Sequence, residues 1–283
     1  MKSIVNSTGL LSKRPFMLVS FIVIMISCSK SDNTTSNATN SNGANAYCKT
    51  VSWEDTNGRT GVFTGTITNN RYNLTSVSYS ENPNRTGYVS FSYDASGNLM
   101  NQKGFTVTYN QGRLVKYVVD LSLVSKATGT ATYTFDSNGY LTNISDVGSD
   151  ENGPLSLSIT YTYDDNGDPV HIVGHGTQTL SQGPGTVDYD ITADYLTDKP
   201  QLLPFNPIAA PFAVYFAYQP FLSKHLVNKW VLKQNTIVVG YVIPSVNFTY
   251  QYNYTYDADG RVATMYHSGN PNNIYTFTYS GCN

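Results

Sequence analysis

Few side chains in this 283-residue chain are placed to do chemistry. His171 and His175 stand four apart in "HIVGH", a spacing that on a helix would aim two imidazoles at one zinc ion. Gly174 lies between them, the flanking residues alternate as a strand does, and no cysteine pair or third ligand is near. They read as two strand-end histidines, and no metal is expected. The acidic phrases "YDDNGD" and "YDADGR" carry the oxygen ligands of a calcium loop but lack its closing glutamate at the twelfth position. Glutamate occurs three times, as Glu54, Glu81 and Glu151, each expected in a Gly-, Asn- or Pro-rich loop. Glycoside hydrolysis needs two carboxylates held across a cleft, one of them with a raised pKa, and nothing in the spacing provides such a pair. There is no G-x-S-x-G elbow, phosphate-binding loop or dinucleotide fingerprint. The chain reads as non-enzymatic, with no cofactor.

Composition narrows the classes further. Charged residues are 13% of the chain, 17 basic against 19 acidic, for a net charge of −2. Nucleic-acid binding wants clustered Lys and Arg, so that class is excluded. Tyr is abundant, at 23 residues, and Thr, Ser and Asn fill the polar positions. Such a mixture favours strands over helices.

One phrase recurs: "FSYDASGNL" (91–99), "YTFDSNGYL" (133–141), "YTYDDNGDP" (161–169) and "YTYDADGRV" (254–262), with a shortened copy, "VTYNQGRL" (107–114). Before each Asp, aromatic or aliphatic residues alternate with Thr or Ser, the period-two signature of a half-buried strand. Asp94, Asp136, Asp164 and Asp257 open a turn, because a short carboxylate can accept from backbone N–H groups just ahead. Gly97, Gly139, Gly167 and Gly260 supply the positive φ that closes it, as in a type I turn with a G1 bulge. The phrase is a hairpin module.

Parity extends the pattern. Leu155, Leu157, Ile159, Tyr161 and Tyr163 share one face against Ser156, Ser158, Thr160 and Thr162; Phe248, Tyr250, Tyr252, Tyr254 and Tyr256 oppose Thr249, Gln251, Asn253 and Thr255. Turn-bounded runs give about 14 strands, so the expected fold is all-β: a large antiparallel meander that must curl or close into a barrel-like form. From residue 199 to 234 the alternation stops, and five of the 12 prolines fall there. Proline excludes a central strand and permits short helical turns, as in "FAVYFAYQ" (212–219). This segment is expected to be a partly helical cap over the curled sheet, or a lid over an apolar pocket.

The first 28 residues read as a signal peptide. Lys2, Lys13 and Arg14 precede the apolar run "FMLVSFIVIMIS", which is short for a spanning helix. "MISC" resembles a bacterial lipobox with Met25 where Leu is usual, so Cys28 is the expected lipidation site. Residues 29–46 hold nothing larger than Ala to bury and read as a disordered tether. A single β domain follows at 47–283. By the sorting rule for such lipoproteins, Ser29 after the Cys favours the outer membrane; periplasmic and surface faces stay open.

The repeated phrases resemble the YD repeats of the Rhs and teneurin families. From Tyr47 to Asn283 the order of features is similar to a family of uncharacterised Bacteroidetes lipoproteins, domain of unknown function 4595. These features are a Cys near the start, YD hairpins, a Pro-rich interruption, "YTYDADGRVATM" and a closing Cys strand. That resemblance implies a porin-like architecture and an envelope location, and no activity.

Two functions remain open. The first is a binding module for a glycan or apolar ligand, with Trp53, Phe212, Tyr215, Phe216, Tyr218, Phe221 and Trp230 as candidate contact aromatics. The second is a structural envelope protein with no small-molecule ligand. A membrane-spanning barrel is set aside, since it needs an apolar outer band. With Cys28 lipidated, Cys48 and Cys282 remain, an even number in an exported protein. They are expected to pair if first and last strands meet, and to stay as two free thiols if not.

Overall fold

The computed structural model describes residues 48–68, 71–82, 85–123, 127–180, 183–200, 223–238 and 241–282. The leader, the tether, Cys28 and the aromatics Phe212 to Phe221 lie outside these. The fold is all-β, with 15 strands against about 14 expected: β1 (Cys48–Asp55), β2 (Thr60–Thr68), β3 (Arg71–Asn82), β4 (Arg85–Ser90), β5 (Phe105–Asn110), β6 (Arg113–Asp120), β7 (Thr128–Phe135), β8 (Leu141–Asp150), β9 (Gly153–Tyr163), β10 (Pro169–Leu180), β11 (Gly183–Pro200), β12 (His225–Val238), β13 (Tyr241–Tyr256), β14 (Val262–His267) and β15 (Asn270–Cys282). A short 3-10 turn, Leu121–Leu123, is the one helical element among the described residues.

All 15 strands form one antiparallel sheet in the order β4-β3-β2-β1-β15-β14-β13-β12-β11-β10-β9-β8-β7-β6-β5. The first strand pairs with the last, and the open edges are β4 and β5, which are consecutive in the chain. Laid flat, such a sheet would be about 65 Å wide, whereas residues 91–104 can span at most about 50 Å. The sheet must therefore curl until its edges approach. They do: Phe91 and Phe105 meet edge to face at 5.9 Å, and two local bridges, Tyr93↔Leu99 and Gln102↔Phe105, fold the linking segment between the edges. Side-chain amides close the seam further. Gln102 Nε2 donates to the Ser90 carbonyl at 2.6 Å, and the Val107 N–H donates to Asn101 Oδ1 at 2.6 Å.

The concave face is the core. On β9, Leu155, Leu157, Ile159 and Tyr161 are buried while Ser158, Thr160 and Thr162 are exposed; β15 alternates in the same way through Asn273, Tyr275 and Phe277. Tyr117 and Tyr133, both fully buried, stack at 4.4 Å. Cys48 and Cys282 sit opposite each other in the β1–β15 ladder and are joined, with Cα atoms 3.8 Å apart. The stretch from 199 to 234 needs a correction at its ends. Asp198, Lys199 and Pro200 finish β11, and residues 225–234 begin β12. No proline follows Pro220 before Pro244, and Leu226, Trp230, Leu232 and Gln234 turn inward; the polar neighbours Asn228, Lys229 and Lys233 mask that alternation in the sequence.

Each Asp-x-x-Gly turn folds alike. The Asp N–H donates to the carbonyl four residues on, and the Gly N–H donates to the Asp carbonyl. Oδ1 accepts the fourth residue's N–H at 2.8 Å in all four turns. The glycines have φ of 79° to 83°, and register shifts beside three of the turns mark the bulge. A fifth copy escaped the sequence reading: Asp55 accepts from the Asn57 and Arg59 N–H groups, and Gly58 has φ 76°. Glu54 stands where the other copies have an aromatic. The shortened copy is different, a two-residue turn with positive φ at both Gln111 and Gly112, which is the type I′ form.

The bulge leaves a carbonyl to be answered. Five residues past each of the four predicted turn aspartates, the carbonyls of Leu99, Leu141, Pro169 and Val262 accept from the hydroxyls of Tyr109, Tyr163, Tyr195 and Tyr279 on the next strand. Tyr254 answers Val227 in the same way at 2.8 Å. Burial raises the pKa of Tyr195 and Tyr254 well above the ordinary phenol value.

Two predictions follow from these turns. At Gly260 an added Cβ meets nothing within 4 Å, whereas at Gly167 it would lie 2.5 Å from the Tyr140 hydroxyl. Gly260→Ala is expected to destabilise by about 1–2 kcal/mol through its positive φ alone, and Gly167→Ala by more, in urea titrations; equal losses would contradict the packing. The raised tyrosine pKa values favour the protonated hydroxyls in the fold, so their contribution is complete below pH ~10 and lost above it. The melting temperature should fall steeply above pH ~10, and less steeply in Tyr254→Phe.

Candidate functional site

Five of the seven candidate contact aromatics, Phe212, Tyr215, Phe216, Tyr218 and Phe221, lie outside the described residues. Trp53 and Trp230 are both buried, so neither offers an open face. The eight turn residues form hairpin ends as described. His171 and His175 lie on the outer face of β10, where they pair across to Asp190 at 3.1 Å and to Asp188 at 2.6 Å on β11. Both pairs are exposed, and no group of three metal-binding side chains occurs among the described residues. Glu54 and Glu81 end strands and do not sit in loops, while Glu151 occupies the β8–β9 turn.

The outer face is polar. Lys49, Glu54, Ser158, Thr160, Thr162, Lys233, Asn235, Thr276 and Thr278 all point outward and are exposed. Outward apolar residues such as Val147, Val173 and Ile237 are scattered among them. Such a surface suits water, whereas a lipid-facing barrel needs a continuous apolar band.

Because antiparallel neighbours alternate direction, the hairpins fall at two ends. One end holds the disulfide, the turns at Asp94, Asp136, Asp164 and Asp257, and the chain between β11 and β12. There the fully buried carboxylate of Asp168 accepts from the N–H groups of Lys224 and His225 at 2.8 and 3.1 Å, and from His225 Nδ1 at 2.5 Å. Two backbone N–H groups on one carboxylate make this a clasp that seats the start of β12. The Ser223 hydroxyl donates to the His225 carbonyl at 2.5 Å.

The other end, the far rim, carries the aromatic residues that the sequence reading passed over. β13 is 16 residues long, but β14 has only six and pairs with β13 only from Tyr252 to Tyr256. The β12–β13 ribbon therefore stands above its neighbour. On its inward face, Phe248 is 45% exposed and stacks on Tyr250 at 6.0 Å. Tyr250 leans on Trp230 at 5.9 Å and meets His267 edge to face at 4.9 Å, and His267 in turn contacts Tyr252 at 5.9 Å. The Tyr250 ring lies over Gly269, where a Cβ would come within 2.5 Å of it. This makes a continuous aromatic track from an open rim into the core.

Polar groups accompany the track. The Trp230 indole N–H is buried with no acceptor. Gln234 and Thr236, further along the inward face of β12, hydrogen-bond each other at 3.0 Å. Burial pushes the His267 imidazole down to about 4, so it is neutral at physiological pH. Only Trp230 had been singled out from sequence. Phe248 and Tyr250 were placed on the correct face by parity, but their exposure depends on the short β14 beside them.

A second inward group is Asp146 on β8, between Ala131 and Leu157 in register. It is 1% exposed, its Oδ1 has no partner, and burial raises its pKa to about 7.

No family model and no curated protein matches the chain. Among solved structures, a porin-like protein from Bacteroides uniformis ATCC 8492 aligns at 15% identity and a TM-score of 0.42, over 82% of this chain and 98% of that one. A porin-like protein from Bacteroides vulgatus ATCC 8482 aligns at 10% identity and a TM-score of 0.41, over 69% of this chain and 94% of that one.

The buried carboxylate makes a pH-dependent prediction. With the folded pKa raised to about 7, above the ordinary aspartate value of ~3.9, the fold binds the proton more tightly than the unfolded chain. The stability that Asp146 contributes is therefore complete below pH ~4 and is lost as pH rises through ~7. The full swing is of the order of 4 kcal/mol. Asp146→Asn should gain stability relative to the native chain between pH 4 and pH 8 in denaturant titrations. A constant difference between the two proteins would mean that Asp146 is not buried alone.

Proposed function

We propose that this is an exported, lipid-anchored envelope protein whose far rim binds a glycan. The observation that carries the binding reading is Phe248, nearly half exposed on the otherwise buried face of the sheet and stacked on Tyr250. An exposed aromatic on a concave wall is the surface on which a sugar ring stacks. Aromatic body with few polar groups is the usual make-up of a ligand site. The outward histidines are engaged by exposed carboxylates and Asp168 by backbone N–H groups, which supports a non-catalytic role. The lipobox ending at Cys28 and the tether at 29–46 support the anchor, and Ser29 supports the outer membrane as its destination. Cys48 begins the domain at the disulfide end, so a tether there would leave the aromatic rim facing away from the bilayer.

The test uses the exported chain carrying Cys28→Ser, screened against soluble polysaccharides and oligosaccharides. Binding to at least one glycan is expected, with Phe248→Ala weakening it at least tenfold at an unchanged melting temperature. With Trp53→Phe in the background, Trp230 fluorescence should report the same event. No binding across the screen would leave the structural reading, a scaffold without a small-molecule ligand. Unchanged membrane fractionation of the Cys28→Ser chain would remove the lipid anchor.

A further inference from the structure

The same unequal strand lengths have an effect at the level of the backbone. Gln251 is the last residue of β13 engaged on the β14 side: its N–H donates to Ser268 Oγ at 3.0 Å, and its carbonyl accepts from the Ser268 N–H at 2.9 Å. The β12 register runs without a break from Lys229↔Gln251 to Gln234↔Val246. Residues of the same parity as Gln251, namely Thr249 and Asn247, therefore direct N–H and C=O away from β12. Among the described residues no strand lies on that side. This is an open, regular sheet edge, and such edges are templates for another strand.

Natural edges of this length are guarded by charge, and this one is not. No charged residue occurs between Tyr241 and Tyr256. Its two faces differ, with Val246, Phe248 and Tyr250 inward and Asn247 and Thr249 outward and exposed. A partner strand must carry the same alternation in antiparallel sense and bring an apolar side chain opposite Phe248. The β13 edge itself meets these conditions.

We propose that two copies of this chain pair through β13 about a two-fold axis at Phe248. In that register Phe248 faces Phe248 of the second copy, in a non-hydrogen-bonded pair where side chains approach most closely. Asn247 faces Thr249 on either side of the axis, and these two pairs exchange four N–H···O bonds. Val246 then lies opposite Tyr250 on the inward face, so the apolar side chains meet one another throughout. One step beyond Val246 the register with β12 shifts, and Pro244 follows. The bulge and the proline end the pairing there, since a bulged strand bends out of line. The pairing places two aromatic rims side by side and goes beyond the glycan reading, since it uses the backbone of residues whose side chains point outward.

The measurement is the mass of the full chain carrying Cys28→Ser by sedimentation and light scattering over a concentration series. A dimer is expected. Thr249→Pro removes an N–H that has no partner within one copy, so it should weaken dimerisation at least a hundredfold at an unchanged melting temperature. Thr249→Ala keeps the N–H and should remain dimeric. If Thr249→Pro fails to fold, Phe248→Cys decides, because facing thiols should oxidise to a linked dimer without added cross-linker. A native monomer at every concentration, a dimer that survives Thr249→Pro, or no linked Phe248→Cys dimer overturns the proposal. A native monomer whose edge is instead occupied by an added peptide of alternating sequence reassigns the edge to a foreign strand, and overturns it equally. Glycan binding retained by Thr249→Pro would show that the rim and the edge act separately.

Discussion

A sheet whose two free edges are consecutive in the chain has no flat form available to it, and the rest of the molecule answers to that constraint. β4 and β5 are bound to approach because residues 91–104 are too short to let them part. β1 and β15 meet on the far side through a ladder and a disulfide. Curling gives the sheet an inside and an outside, and the period-two alternation then sorts the side chains. Tyr, Leu, Ile and Phe fill the concave side, while Ser, Thr, Lys and Asp take the convex one. The tyrosines stacked within the wall are thus the interior of a curved sheet that has no helical layer among the described residues to pack against it.

Curvature brings a local difficulty that the turns resolve. A two-residue hairpin preserves register, but an Asp-x-x-Gly turn inserts a bulge that bends and twists the strands. Each bulge leaves a strand-start carbonyl facing a low-dielectric interior, where an unpaired acceptor is expensive. A tyrosine reaches over from the next strand and donates its hydroxyl, at Leu99, Leu141, Pro169 and Val262 alike. Much of the high tyrosine content is therefore a device for satisfying backbone polarity, with the ring packing as core and the hydroxyl closing the account of hydrogen bonds.

Sequence carried the parts that depend on near neighbours. The hairpins at Asp94, Asp136, Asp164 and Asp257, the parity of β9 and the all-β class all follow from residues within a few positions of each other. The turn at Asp55 has the same internal chemistry, but Glu54 hides it by standing where the other copies carry an aromatic. The beginning of β12 was hidden by its lysines, whose long stems let charged heads sit beside inward tryptophan and leucine. The aromatic rim could not be read at all from Phe248 or Tyr250, since their exposure is decided by where β14 stops, some 20 residues later. Asp146 and Asp168 illustrate the same limit. Both are aspartates in polar-looking stretches, and only the curled tertiary fold shows one to be a buried, lone carboxylate and the other a backbone clasp.

The Cys48–Cys282 bond joins the two ends of the described domain, which already pair as adjacent strands. In covalent terms the β domain is a ring with no privileged starting point. A protease that cuts one hairpin opens that ring without releasing either piece, because every strand keeps two hydrogen-bonded neighbours or the seam, and the fragments stay linked through sulfur. The order in which the strands were written could likewise be rotated, with new ends at a far-rim hairpin and the old ones fused, and the same wall would be specified.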